Sequence, residues 1–297
     1  MWTPSRPHRY WLHALLAGLT LLSLTVAGAE QARCFAENRA YYFTDDWSGL
    51  GRIWSHPGLL LTGLPYSLSL FSILMAHEMG HYIAARRYGV DVTLPFLLPV
   101  PTLIGTFGAF IRIRSRIPTK KALYDIGIAG PLAGFVVLVL VMAIGLSFSH
   151  AVPGARANGD LIFGTPGLLW LFAQIGFPGV PTNNILIHPI ARAAWVGCLM
   201  TALNLLPIGQ LDGGHILYAF VGERSRWLSR IFLALMLPLG YFARSWLVWA
   251  VLLFFLALRH PAIDDHQPLD RARRWLGVAA LAVLILCFTL APVRVRY

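Results

Sequence analysis

Long apolar runs dominate the chain, and short polar segments separate them. Five of these runs are long enough to cross a bilayer, for which about 20 residues are needed. They lie near residues 11–28, 58–85, 122–148, 188–206 and 273–290. A sixth block, 227–258, carries Pro238, Gly240 and Arg244 near its middle, which predicts two shorter helices that meet at a turn. The pattern therefore predicts an all-α fold, a polytopic transmembrane helix bundle of six or seven spans.

Composition and charge agree with a membrane protein and argue against a nucleic-acid partner. Of the 297 residues, 57% are hydrophobic and 12% are charged, which is too apolar for an ordinary soluble domain. The net charge of +11 could suggest binding to nucleic acid. The basic residues, however, are confined to short segments between apolar runs, as expected for orientation signals. We therefore expect a lipid bilayer as the partner, and no nucleic acid.

The distribution of basic residues predicts which segments face the cytoplasm. Residues 86–121 and 224–230 are rich in arginine and lysine, whereas 29–57 mixes both charges and 149–187 carries almost none. The two basic segments belong on the cytoplasmic side. The first apolar run also has the form of a secretory signal, with Ala-Gly-Ala before Glu30. We interpret this run as a retained helix, with a cleaved signal as the alternative.

Residues 77–81 read HEMGH inside an otherwise apolar run. On a helix, His77 and His81 share a face, while Glu78 points about 100° around the axis. Paired imidazoles suit zinc, and a hydrolytic zinc site keeps one coordination position for a water molecule, whose pKa the metal lowers towards ~7. Glu78 could accept the proton of that water as catalytic base. Ionisable groups inside a span are costly and usually functional, which favours this hypothesis over three polar residues that only bond neighbouring helices.

The depth of HEMGH follows from the arginines that come after it. Arg86 and Arg87 mark the polar edge of the run, and at a rise of 1.5 Å per residue His77 and His81 lie about 8 to 14 Å inside that edge. The site would therefore lie within the membrane. We expect an integral, multi-pass protein of a bacterial inner membrane, with the active site near the cytoplasmic face.

A third zinc ligand has to come from another segment. The only comparable polar cluster at the end of a span is NLLPIGQLDGGH at 204–215, where Pro207 should interrupt the preceding helix. Asp212 is the candidate ligand, which predicts one zinc ion per chain; the alternative is that Asp212 only caps the next helix. Asn204 could bind the substrate backbone or the oxyanion, and a helix–helix hydrogen bond is the alternative.

Two further patterns lie near these motifs. Residues 105–118 read GTFGAFIRIRSRIP and alternate apolar residues with arginines from 111 onward, which predicts a short amphipathic β segment near 105–117. Its edge could pair with an unwound substrate, or its arginines could rest on anionic lipid, and the pattern does not decide between them. The third span contains GIAGPLAGF at 127–135, which we interpret as a surface for close helix packing.

The order of these motifs resembles the site-2 protease family of intramembrane zinc metalloproteases. The matching stretches are HEMGH at 77–81, GIAGP at 127–131 and NLLPIGQLDG at 204–213. The resemblance implies that His77, His81 and Asp212 bind zinc and that Glu78 is the catalytic base. It also implies a zinc metalloendopeptidase whose substrates are transmembrane proteins, cut in or near their transmembrane segments by a zinc-bound water.

The resemblance also bears on domain organisation and on rival functions. We expect residues 1–297 to form a single membrane-embedded metalloprotease domain with its catalytic core at about 58–222. No segment has room for the PDZ or CBS domain that some family members carry. A metal transporter or metal-sensing membrane protein would also place histidine and aspartate near the membrane middle, but it has no need of Glu78. A zinc hydrolase of lipids is a second rival.

Overall fold

The computed structural model describes residues 10–39, 51, 55–154, 161–257, 265 and 267–295, and most of them are helical. Its α-helices are α1 Tyr10–Ala36, α2 Leu64–Arg87, α3 Lys120–Ser147, α4 Gly167–Gly176, α5 Pro189–Leu205, α6 Asp212–Val221, α7 Ser225–Leu239, α8 Ser245–Ala257 and α9 Arg271–Cys287. Short 3-10 helices cover Pro57–Gly63, which leads into α2, and also Thr182–Asn184 and Gly222–Arg224.

Three helical segments of the described residues are long and apolar enough to cross a membrane. They are Tyr10–Ala36, Pro57–Arg87 and Lys120–Ser147. The helices that follow are shorter, with 17 residues in α5, 15 in α7 and 13 in α8, so the six or seven spans stay a prediction. The block 227–258 does divide into two helices, since α7 ends at Leu239 and α8 begins at Ser245.

The helix ends follow from local sequence. The Thr119 side chain accepts a hydrogen bond from the Ala122 backbone N–H, 3.1 Å away, and so caps the start of α3. At the start of α9, Asp270 accepts from the Arg273 backbone N–H at 3.0 Å. The end of α5 at Leu205 agrees with the interruption predicted from Pro207, because proline cannot continue the backbone ladder. Helices α2, α3 and α5 pack against one another, and α6 packs on α3.

A β-hairpin lies between α2 and α3. Strand β1, Phe96–Pro99, pairs in antiparallel fashion with β2, Thr106–Phe110, and Phe96 lies opposite Phe110. The β segment predicted near 105–117 is therefore present over 106–110. For the alternating arginine segment beyond 110 the prediction is wrong, because only an isolated bridge between Val92 and Ile113 continues the pairing.

Side-chain oxygens explain why the ladder stops after Phe110. The backbone N–H of Arg112 donates to Thr93 Oγ1 at 3.0 Å, and the backbone N–H of Asp91 donates to Ser115 Oγ at 2.9 Å. Hydroxyl oxygens thus accept hydrogen bonds from backbone N–H groups that would donate to backbone carbonyls in a regular ladder. The segment stays extended beside 91–93 without being a regular strand.

Helix α1 supports the hairpin through polar side chains. His13 Nδ1 lies 3.1 Å from the carbonyl of Pro95, just before β1. In the loop between the two strands, Ser23 donates to the Val100 carbonyl at 2.7 Å, and Gln31 donates to a second carbonyl. Backbone carbonyls at membrane depth need such donors. The interpretation of this run as a retained helix stays a prediction.

Two more pairs of short strands follow the C-terminal ends of long helices. The sequence pattern did not indicate them. Strand β3, His150–Ala151, follows the end of α3 and pairs with β5, Ile185–Leu186. Strand β4, Leu161–Phe163, pairs with β6, Val293–Val295, which follows α9. Both pairs are antiparallel. The first pair links the end of α3 to the segment before α5, and the second links the end of α9 to the segment before α4.

Candidate metal centre

The HEMGH residues form one wall of a buried site. His77, Glu78 and His81 are all buried on α2. Because positions four apart share a helix face, the two imidazoles meet. Their Nε2 atoms lie 3.1 Å apart, and their ring centroids are separated by 4.8 Å. Two potential metal ligands, both ring nitrogens, therefore face the same position.

Asp212 completes this group from the opposite side. Its carboxylate oxygens lie 3.2 Å from His77 Nε2 and 3.3 Å from His81 Nε2. Asp212 is the first residue of α6, and the preceding Leu211 occupies the cap position with no side-chain bond. The carboxylate therefore faces the histidines and does not act as the helix cap.

The loop between α5 and α6 brings Asp212 to this position. Gly209 has a positive φ of 50°, which glycine adopts without strain. Ser229 of α7 donates to the Pro207 carbonyl at 3.1 Å and accepts from the Gly209 N–H at 3.3 Å. Polar groups of an irregular segment are thus satisfied inside the protein, as membrane depth requires.

The donor set fits a zinc ion. Ligand atoms held about 2.0–2.1 Å from zinc in tetrahedral geometry lie about 3.3 Å from one another. The three separations among His77, His81 and Asp212 are 3.1, 3.2 and 3.3 Å. Among the described residues this is the one group of three or more potential ligands placed to hold a metal. Two imidazoles and one carboxylate leave a fourth position for a reacting group.

Neighbouring groups fix the orientation of the ligand side chains. His81 Nδ1 lies 2.7 Å from the Ile126 carbonyl of α3. A carbonyl only accepts, so Nδ1 carries the proton and the lone pair of Nε2 is free for a metal. The Asn204 Nδ2 atom lies 3.3 Å from His77 Nε2, so the structure also brings Asn204 to this site.

Glu78 meets the hairpin. Its carboxyl group accepts a hydrogen bond from the backbone N–H of Ile111, the residue that follows β2. The sequence pattern placed the β segment near HEMGH but did not indicate this bond. The end of the strand and the proposed catalytic base are therefore in direct contact.

The glycines of α3 lie directly beneath the site. A Cβ atom on Gly130 would overlap the imidazole ring of His81, and one on Gly134 would lie 3.0 Å from the Cβ atom of His77. On Gly127 it would lie 3.5 Å from the Asp212 carbonyl oxygen. The interpretation as a surface for close helix packing is borne out, and the groups that pack against these glycines include the histidines of the site itself. Gly127, Gly130 and Gly134 share one helix face because they are three and four positions apart, and this spacing is the signal that the sequence offers.

Comparisons with known proteins identify the family of this chain. The sequence model described as Peptidase family M50 matches residues 65–244. Over 308 residues the chain is 30% identical to the "Probable zinc metalloprotease EGY1, chloroplastic" of Oryza sativa subsp. japonica, covering 97% of this chain and 51% of that relative. For the protein of the same name in Arabidopsis thaliana the identity is 31%, covering 77% and 43%.

A solved structure is also similar, although remotely. The site-2 protease from Methanocaldococcus jannaschii matches with a TM-score of 0.40 and 19% identity, covering 70% of this chain and 83% of that one.

The chain belongs to peptidase family M50. This confirms the resemblance drawn from the motifs, and both plant relatives are named as zinc metalloproteases. The family and the apolar helices also indicate an integral membrane protein. The expected bacterial inner membrane is not supported, because the relatives are named as chloroplastic. The chain spans about half the length of the curated relatives it matches, or less.

Proposed function

We propose that this chain is an intramembrane zinc metalloprotease that hydrolyses peptide bonds in or near transmembrane segments of membrane proteins. The observation that carries this proposal is the meeting of His77, His81 and Asp212 in a buried site beside Glu78. We propose one zinc ion per chain, held by these three side chains. The core at about 58–222, which overlaps the family match at 65–244, would form a single domain with the rest of the chain.

The chemistry follows from the roles that these groups can take. A bound zinc ion supplies Lewis acidity, which polarises a carbonyl and makes a water molecule more acidic. Glu78 takes the proton of the attacking water and passes it to the leaving nitrogen, as a general base and then a general acid. The N–H of Ile111 orients the Glu78 carboxyl. Asn204 can donate to the oxygen that becomes negative in the transition state.

A transmembrane substrate needs to unwind before its carbonyls can react, because helical hydrogen bonds shield them. Strand β2 offers a place for the unwound segment. Its outer edge has no strand partner in the described part of the chain, and Phe107 on it is 72% exposed. A peptide paired with this edge would run toward Ile111 and Glu78. The structure thus favours strand addition over lipid contact, since the arginines lie beyond the regular strand.

We also propose that the site lies near the membrane face that carries the basic segments. Helix α2 ends with Arg86 and Arg87, shortly after His81. The backbone N–H of Lys120 donates to the Asp265 carboxylate at 2.9 Å, so residues just before α9 lie at the same face. Under the positive-inside rule this face is the cytoplasmic one or its equivalent.

The zinc site and the activity are tested together by Asp212→Ala. Removing one of three protein ligands should weaken zinc affinity by at least about 100-fold, because losing even a supporting partner costs about 10–100-fold. Zinc content is measured by mass spectrometry of the purified protein, and affinity by competition with a chelator. In liposomes that contain single-span model proteins, cleavage should fall with zinc occupancy.

The control is Glu223→Ala, which removes a carboxylate whose side chain is 60% exposed and pairs with Arg226 at the surface. It should bind zinc and cleave as the wild type does. Wild-type zinc affinity in Asp212→Ala would exclude Asp212 as a ligand.

Strand addition and lipid contact make different demands on the hairpin. Proline removes a backbone donor from a strand edge, so one or more of Phe107→Pro, Ala109→Pro and Phe110→Pro should lower cleavage by at least about 10-fold, while zinc content stays normal. Replacing Arg112, Arg114 and Arg116 by glutamine removes charge but not the edge, and this variant should keep most of its activity. The measurement is cleavage of the same model proteins in liposomes.

The opposite pattern would decide for lipid contact. If every proline variant cleaves normally while the glutamine variant fails, β2 does not bind substrate by strand addition.

A further inference from the structure

One turn of α3, residues 124–127, contacts both sides of the metal centre. The Ile126 carbonyl accepts the hydrogen bond from His81. The next residue, Gly127, lies against the first turn of α6, where a Cβ atom would be 3.5 Å from the carbonyl oxygen of Asp212. This turn therefore sets the separation between Asp212 and the histidines of α2.

The same turn is bonded to α9 through an ion pair. Arg273 Nε donates to Asp125 Oδ1 at 2.9 Å, and Arg273 Nη2 donates to Asp125 Oδ2 at 2.5 Å. The two side chains are only 21% and 24% exposed, so the pair is largely shielded from solvent. Tyr88, at the end of α2, also donates to Asp125, and Asp270 is a second partner of Arg273. A bidentate arginine–carboxylate pair of this kind defines position as well as charge.

Aromatic contacts extend this junction to α6. The Tyr124 hydroxyl donates to the Arg273 carbonyl at 2.6 Å. The Tyr124 ring packs edge-on against Phe220 of α6, with centroids 5.6 Å apart and an interplanar angle of 83°. Gly277 of α9 lies against the Phe220 ring, where a Cβ atom would be 3.0 Å from the nearest ring carbon. Phe220 of α6 is thus packed between α3 and α9, and α6 also carries Asp212.

We propose that Arg273 is a positioning residue for the metal centre. Its guanidinium acts through Asp125, while its backbone carbonyl accepts from Tyr124, and the junction holds Asp212 at the correct distance from the histidines. Helix α9 lies outside residues 65–244, the part that matches the family model. The proposal rests on the proposed function for the identity of the metal, but its test reads metal affinity and needs no substrate. The zinc affinity would then depend on a helix that carries none of the zinc ligands.

The test is the zinc affinity of Arg273→Gln in the purified full chain, measured by chelator competition. We expect a loss of about 10-fold, at the lower end of the range for residues that orient metal ligands. Arg273→Lys keeps the charge but not the two parallel bonds, and it should show a smaller loss. Arg274→Gln removes a neighbouring charge whose Nε donates to the Leu269 carbonyl, and it should bind zinc as the wild type does.

A double-mutant cycle separates positioning from general stability. In an Asp212→Ala background the two histidines lie on one helix, so Arg273→Gln should cause no further loss of zinc affinity. Wild-type affinity in Arg273→Gln, or an equal loss in both backgrounds, would overturn the proposal. If Arg273→Gln does not fold, Arg273→Lys decides, and unchanged affinity there also overturns it. A wild-type protein that binds no zinc would instead refute the proposed function.

Discussion

Glu78→Gln should lower cleavage by about 10²–10⁴-fold, the usual contribution of a general base. Zinc content should not change, because Glu78 is not among the residues whose donor atoms meet at the metal centre. Glutamine has nearly the same size, and its carbonyl oxygen can still accept the Ile111 N–H. An amide cannot take a proton from water, so catalysis is lost while the site stays assembled.

The measurement pairs zinc analysis with cleavage of single-span model proteins in liposomes. It also separates the rival functions, because a transporter with the same metal group should keep metal binding and flux in Glu78→Gln. A lipid hydrolase would release lipid products in place of peptide fragments. Wild-type cleavage by Glu78→Gln, or loss of its zinc, would contradict the role assigned to Glu78.

Gly130→Ala should impair zinc binding although it adds a single methyl group. That methyl would overlap the His81 imidazole, so either the ring turns away from the metal or α3 moves away from α2. Overpacking of this kind costs about 1–3 kcal/mol of stability. A misplaced ligand should also weaken zinc affinity by about 10–100-fold. Chelator competition and thermal unfolding of the purified protein measure the two effects.

The control for this variant is Gly18→Ala in α1. A Cβ atom there has no atom within 4 Å, and alanine favours a helix over glycine. Zinc affinity should therefore stay at the wild-type value in Gly18→Ala. If Gly130→Ala also keeps that value, the close contact between Gly130 and His81 does not position the ligand.

Features that depend on local geometry could be predicted from the sequence. His77 and His81 meet because residues four apart share a helix face, whatever surrounds the helix. The block 227–258 divides near Pro238 and Gly240, as expected for residues that weaken a helix, because α7 ends at Leu239 and α8 begins at Ser245. Asp212 could be chosen because few other polar residues end an apolar run.

Features that depend on distant partners could not be predicted. Arg273 and Asp125 are 148 positions apart, and nothing in the pattern of either helix indicates the other. The hairpin ends at Phe110 because Thr93 and Ser115 accept backbone donors, a choice that depends on their three-dimensional position. The contact of Gly130 with His81 likewise depends on which faces of α2 and α3 pack together.

The most direct test of the central claim is a comparison of membrane-protein fragments in cells that express the wild type or Glu78→Gln at equal levels. Mass spectrometry of the membrane fraction identifies the new peptide ends that each protein generates. The account predicts fragments that are present with the wild type, absent with Glu78→Gln, and cut in or near a transmembrane segment. Identical fragments with both proteins, or cuts confined to soluble domains far from any membrane span, would contradict it.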